Sequence, residues 1–113
     1  MPPPLDIWAG AFCLTQLVEI PIYLHAARSL PAARRWVFAA GASAITHPVV
    51  WFGFPWNLEP WLLLFLAAES FAILTEALWG RLLHVPRPFR WSLVANLSSV
   101  AAGFLARELW PSG

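Results

Sequence analysis

Four ionisable side chains lie inside otherwise apolar stretches of the sequence: Glu19, His47, Glu69 and Glu76. An ionised and unpaired carboxylate near the centre of a bilayer costs about 2.5–3.5 kcal/mol, so we expect these carboxyls to hold a proton or a cation. Imidazole and carboxylate groups also bind divalent metals, which makes His47, Glu69 and Glu76 candidate ligands of a metal cation. The four residues are therefore the predicted ion-binding or substrate-binding site.

Glu69 and Glu76 are seven residues apart, which is two helical turns, so both carboxyls are predicted to lie on one face of a helix. Burial beside another carboxyl disfavours the ionised form of each. We therefore expect at least one of the two to be protonated at neutral pH.

Pro21 and Pro48 lie close to two of the ionisable residues. Each proline removes one backbone hydrogen bond and is predicted to kink its helix, which frees a carbonyl oxygen beside Glu19 and beside His47. Other polar residues lie three, four or seven positions from a site residue or from one another. Side chains at these spacings lie on the same face of a helix. The predicted supporting residues are Gln16, Tyr23, Ser43, Thr46, Asn96 and Ser99.

The composition of the chain indicates a membrane protein. Hydrophobic residues make up 59% of its 113 residues and charged residues 12%, whereas a soluble domain has roughly 45–50% and about 25%. Four apolar segments, each near the ~20 residues that cross a bilayer, are separated by short proline-containing connectors. We predict an all-α integral membrane protein, a single four-transmembrane-helix bundle over residues 1–113, with spans at about 7–27, 35–54, 60–83 and 91–109.

The arginines are distributed asymmetrically between the connectors. The second connector has no basic residue, and the tail contains only Arg107. Positively charged connectors stay on the cytoplasmic side, so we expect a multi-pass protein of the cell (inner) membrane with both termini outside. The arginines in or beside the first and third connectors are Arg28, Arg34, Arg35, Arg81, Arg87 and Arg90.

Several classes of function have no support in the sequence. The net charge is only +1, which argues against nucleic acid as a partner. Hydrolase and nucleotide-binding motifs are absent, and a single interior histidine does not supply paired axial ligands, so no haem is expected. The expected partners are the lipid bilayer and either further copies of the chain or other membrane subunits.

Three functions are compatible with this pattern. The first is a small transporter or channel for protons, a metal cation or a cationic substrate, acting as an oligomer. The second is an accessory subunit of a larger membrane complex, in which the polar residues only fix how the helices pack. The third is an intramembrane enzyme that uses a carboxylate and His47 as acid and base. In size, in number of spans and in Glu19 of the first span, the chain is similar to the small multidrug exporters, but it adds His47, Glu69 and Glu76.

The arginine asymmetry predicts the outcome of a topology experiment. Reporter fusions after Arg34 and Arg87 should report a cytoplasmic location, and fusions after Asn57 and Ser112 an external one, because the arginine-rich connectors are retained inside. Paired reporters, one active only inside the cell and one only outside, measure this. A cytoplasmic C-terminus would contradict the predicted orientation.

Overall fold

The computed structural model describes residues 5–55, 57–58 and 60–109. Within these ranges the chain forms four long helices and no strand, so the prediction of an all-α protein with four helices is confirmed. A π-helical turn, Val49–Gly53, directly follows the second helix. The helices are α1 (Leu5–Ala26), α2 (Ala32–Pro48), α3 (Trp61–Leu82) and α4 (Pro88–Leu109).

Prolines set several helix boundaries. Pro31, with ψ 151°, directly precedes α2, and Pro88 is the first residue of α4. Because proline fixes φ and lacks a donor, it fits the start of a helix better than its interior. Helices α2 and α4 therefore begin three residues before the predicted membrane spans at residues 35 and 91. Regular α-helix changes to the π-helical turn after Pro48, whereas α1 runs through Pro21.

The helices pack in a ring in which each contacts two neighbours, in the order α1, α2, α3 and α4. The bundle measures 43 × 26 × 21 Å. Helices α1, α3 and α4 have 22 residues each, and α2 with its π-helical turn covers the same length. Consecutive helices are joined by short connectors and lie side by side, so they alternate in direction.

The interior of the bundle is small and polar. Apart from Tyr23, Phe38 and Val85, its buried hydrophobic residues are all alanines. The side chains buried with them include two carboxyls, and the Tyr23 and Phe38 rings lie 4.7 Å apart between their centroids. The buried polar residues are Glu19, Ser43, Thr46, Glu76, Ser92 and Asn96.

The exterior of the bundle is apolar. At least twenty large hydrophobic side chains are exposed, among them Leu17 at 74% and Leu109 at 71%. Among the described residues, one helical segment, Leu62–Leu82, is a candidate membrane span by length and composition alone, with a mean hydropathy of 1.7. Polar groups therefore face inward and large apolar groups outward.

The connector between α3 and α4 is a tight turn. The Val85 N–H donates to Gly80 O at 2.8 Å and the His84 N–H to Arg81 O at 3.1 Å, while His84 adopts φ 66°. This is the hydrogen-bond pattern of a Schellman cap. A Cβ on Gly80 would lie 3.0 Å from Pro88 Cβ, so the glycine allows α3 and α4 to approach closely at this end.

Candidate functional site

The Glu76 carboxyl receives a hydrogen bond from each of the other three helices. On one side, Tyr23 Oη of α1 donates to Oε1 at 2.5 Å and Asn96 Nδ2 of α4 donates to the same oxygen at 3.0 Å. On the other, Thr46 Oγ1 of α2 donates to Oε2 at 2.5 Å. Glu76 is 2% exposed, so all four helices meet at one buried carboxyl.

Thr46 gives Glu76 a way to gain a proton without losing partners. Its hydroxyl has one hydrogen, and Thr46 Oγ1 lies 2.5 Å from Glu76 Oε2 and 3.3 Å from Ala42 O. When Oε2 is ionised, the hydroxyl donates to it. When Oε2 is protonated, the hydroxyl can accept that proton's hydrogen bond and donate to Ala42 O instead. Because Asn96 Nδ2 can only donate, Oε1 stays an acceptor in both states.

Glu19 supplies a second buried carboxyl next to the first. It is 1% exposed, and its Oε2 accepts a 2.5 Å hydrogen bond from Ser99 Oγ. Its other oxygen, Oε1, receives no donor from the described residues, and its carboxyl is a neighbour of that of Glu76 on the wall of the same cavity. A proton on Glu19 would satisfy both groups by bonding to Glu76. We call Glu19 and Glu76 the carboxyl pair.

The carboxyl pair opens on a cavity of about 300 Å³. Glu69 and His47 line the same cavity, and the His47 ring lies between Phe12 and Trp51, at centroid distances of 5.3 and 5.7 Å. The four predicted site residues therefore share one cavity. Its wall further from the carboxyl pair carries Trp51, Phe65, Glu69, Gly103, Phe104 and Arg107.

Two of the predicted supporting residues bind each other. Ser43 Oγ donates to Gln16 Oε1 at 2.5 Å, and Gln16 Nε2 donates to Ala40 O at 3.3 Å. Ser92, which joins α4 to α3, donates to Ile73 O at 2.7 Å. These bonds fix neighbouring helices, whereas the other four supporting residues, Tyr23, Thr46, Asn96 and Ser99, bond directly to the carboxyl pair.

The acidic residues and His47 of the site differ in which of them come close together. Glu76 interacts with Glu69 of its own helix, as predicted, and also with Glu19 of α1. Within the described part of the chain, no three His, Cys, Asp or Glu side chains are grouped to hold a metal ion. The proposed metal ligands His47, Glu69 and Glu76 therefore line a common cavity without forming a ligand cluster.

Arg107 was not among the predicted site residues, since it was assigned to the C-terminal tail. It lies within α4 and lines the cavity. The spacing of residues in α4 could have indicated this position. Arg107 follows Asn96, Ser99 and Gly103 in a series with steps of three, four and four residues. A single helical face thus continues to Arg107.

No protein-family model, curated protein sequence or solved structure matches this chain significantly.

The two hydroxyls that bind Glu76 should differ in their contribution to stability. Thr46→Val removes the donor to Oε2 and should lower the free energy of unfolding by about 1–3 kcal/mol, the cost of a buried group left unsatisfied. Tyr23→Phe should cost less, because Oε1 keeps the Asn96 amide. Unfolding of the purified protein, followed by circular dichroism, measures both.

Thr15→Val is the matched control for this comparison, since Thr15 lines the same cavity and bonds to neither carboxyl. We expect little change from it. An equal loss of stability in the Thr15 and Thr46 variants would contradict the assigned hydrogen bonds.

Proposed function

We propose that the chain is a small integral membrane protein that carries protons, alone or in exchange for a cationic substrate, and that the carboxyl pair is the proton-binding site. The observation that carries this proposal is that two buried carboxyls, Glu19 and Glu76, line one cavity of about 300 Å³ and are each held by donors from other helices.

The distribution of polarity supports a location in the bilayer. Soluble monomers rarely expose large contiguous apolar patches, but this bundle exposes at least twenty large apolar side chains and buries the carboxyls of Glu19 and Glu76. A helix of 22 residues is about 33 Å long at about 1.5 Å per residue, close to the ~30 Å hydrocarbon thickness. We infer a multi-pass protein of the inner membrane with the arginine-rich connectors in the cytoplasm and both termini outside.

The proximity of the two carboxyls supports proton binding. Two ionised carboxylates in contact repel each other, and burial penalises both charges, so the pair is most stable with one shared proton. Tyr23, Thr46 and Asn96 stabilise the negative charge that remains on Glu76. Loss of the shared proton leaves one more negative charge, which a monovalent cation in the cavity would neutralise. Proton release and cation entry are thus coupled by charge.

The position of the cavity suggests how access is controlled. It extends from the carboxyl pair toward Arg107, whereas the packed rings of Tyr23 and Phe38 lie on the side of the arginine-rich connectors. In the proposed orientation the site is open toward the outside and closed toward the cytoplasm. Transport would then require a second state, in which Tyr23 and Phe38 separate, and assembly of several copies could supply the surface for that movement.

Replacing Glu76 by Gln should abolish proton movement without unfolding the protein. The amide oxygen can accept from Tyr23 and Asn96, and the amide nitrogen can donate to Thr46, whose hydroxyl then turns to Ala42 O. In proteoliposomes containing a pH-sensitive dye and driven by a potassium diffusion potential, proton flux should fall to that of protein-free vesicles.

Glu108→Gln is the control, because Glu108 is exposed near the end of α4 and does not line the cavity. It should retain the flux of the unmodified protein. Flux in Glu76→Gln equal to that in Glu108→Gln would overturn the proposed function. A folded protein with no flux in any form would favour an accessory subunit.

A further inference from the structure

A second cavity, of about 290 Å³, lies at the opposite end of the bundle between the two arginine-rich connectors. Arg28 and Ser29 of the first connector line one part of it, and Arg87 of the connector between α3 and α4 lines another. Trp91, on the first turns of α4, completes the wall. We call this space the arginine cavity. Two arginines from distant parts of the sequence therefore line one open cavity at the surface of this end.

No acidic residue is available to neutralise these two arginines. The sequence contains no Asp or Glu between residues 20 and 58 or between residues 77 and 107. The nearest carboxyls, Glu19 and Glu76, are buried and bonded within the carboxyl pair. The arginine cavity thus holds positive charge without a protein counter-ion, and this favours an anion.

The side chains around the arginine cavity are also held in position. Arg28 Nη1 donates to His25 O at 3.0 Å, and the His25 ring meets the Trp91 ring edge-on at 5.4 Å. Helix α4 begins at Pro88, beside the cavity, and has no acidic residue in its first turn. The positive end of its dipole adds to the attraction for an anion.

We propose that the arginine cavity binds a phosphate group, supplied either by a phospholipid headgroup or by free inorganic phosphate. Guanidinium groups bind phosphate oxygens through paired N–H donors, and Arg28 keeps several N–H groups beyond the one that binds His25. The Ser29 hydroxyl supplies one more donor. The cavity, at about 290 Å³, is large enough for a phosphate group.

Titration of the purified full-length protein in a neutral detergent tests this proposal. Inorganic phosphate, exchanged for chloride at constant ionic strength, is one probe, and phosphatidylglycerol dispersed in the detergent is the other. The midpoint of thermal unfolding against probe concentration gives an apparent affinity, because a ligand that binds only the folded state stabilises it. Saturable stabilisation by at least one probe is expected.

Two variants and a control locate the binding. Arg87→Asn removes one guanidinium and suits the backbone, since Arg87 has φ 51° and asparagine is enriched in that region. It should weaken the apparent affinity about tenfold or more, and Arg28→Gln should do the same. Arg34 is an exposed arginine at the same end of the bundle and does not line the cavity. Arg34→Gln should therefore leave the apparent affinity nearly unchanged.

The outcomes separate the two sources of phosphate. Saturation by both probes supports binding of the phosphate group itself, and saturation by phosphatidylglycerol alone supports a headgroup site, which rests on the proposed membrane location. Absence of saturable stabilisation by either probe overturns the proposal. So does equal weakening by Arg34→Gln and Arg87→Asn, because that would indicate attraction to the charged end as a whole. Neither result bears on the proton flux assigned to Glu76.

Discussion

The hydrogen bonds to the Glu76 carboxyl are the interaction on which the rest of the structure depends. They bring one side chain from each of α1, α2 and α4 to a single point on α3. Burying the carboxyl without these donors would lower the stability of the fold by several kcal/mol. The bonds therefore fix how each helix is rotated about its axis and shifted along it relative to the others. The alanines around this point keep the helices close enough for such short side chains to reach the carboxyl.

This constraint divides the bundle into two functional halves. On one side of Glu76, the carboxyl pair, His47 and Glu69 face a cavity whose wall includes Arg107. On the other side, Tyr23 packs against Phe38, and beyond these rings lies the arginine cavity. Tyr23 belongs to both halves, because its hydroxyl bonds to Glu76 while its ring closes the path. One side chain thus joins the carboxyl pair to the packing that separates the cavities.

The sequence was sufficient for the four helices and for which faces are polar, because both depend on local periodicity and composition. It was not sufficient for contacts between helices. Glu69 and Glu76 were predicted to influence each other since they share a face of α3, and they do, but the sequence did not indicate that Glu19 on α1 is also a neighbour of Glu76. Thr46 was predicted only as a supporting residue, yet it donates directly to Glu76. Such pairings depend on how far each helix is rotated and shifted, which a single sequence does not specify.

The central claim is that Glu19 and Glu76 share one proton at neutral pH. Infrared spectroscopy of the reconstituted protein measures this directly through the C=O stretching band of a protonated carboxyl. The account predicts such a band at neutral pH in the unmodified protein. The band should change in both Glu19→Gln and Glu76→Gln, because each substitution removes one of the two carboxyls that share the proton, and it should stay unchanged in Glu69→Gln. A spectrum without the band at neutral pH, or a band lost only in Glu69→Gln, would contradict the account.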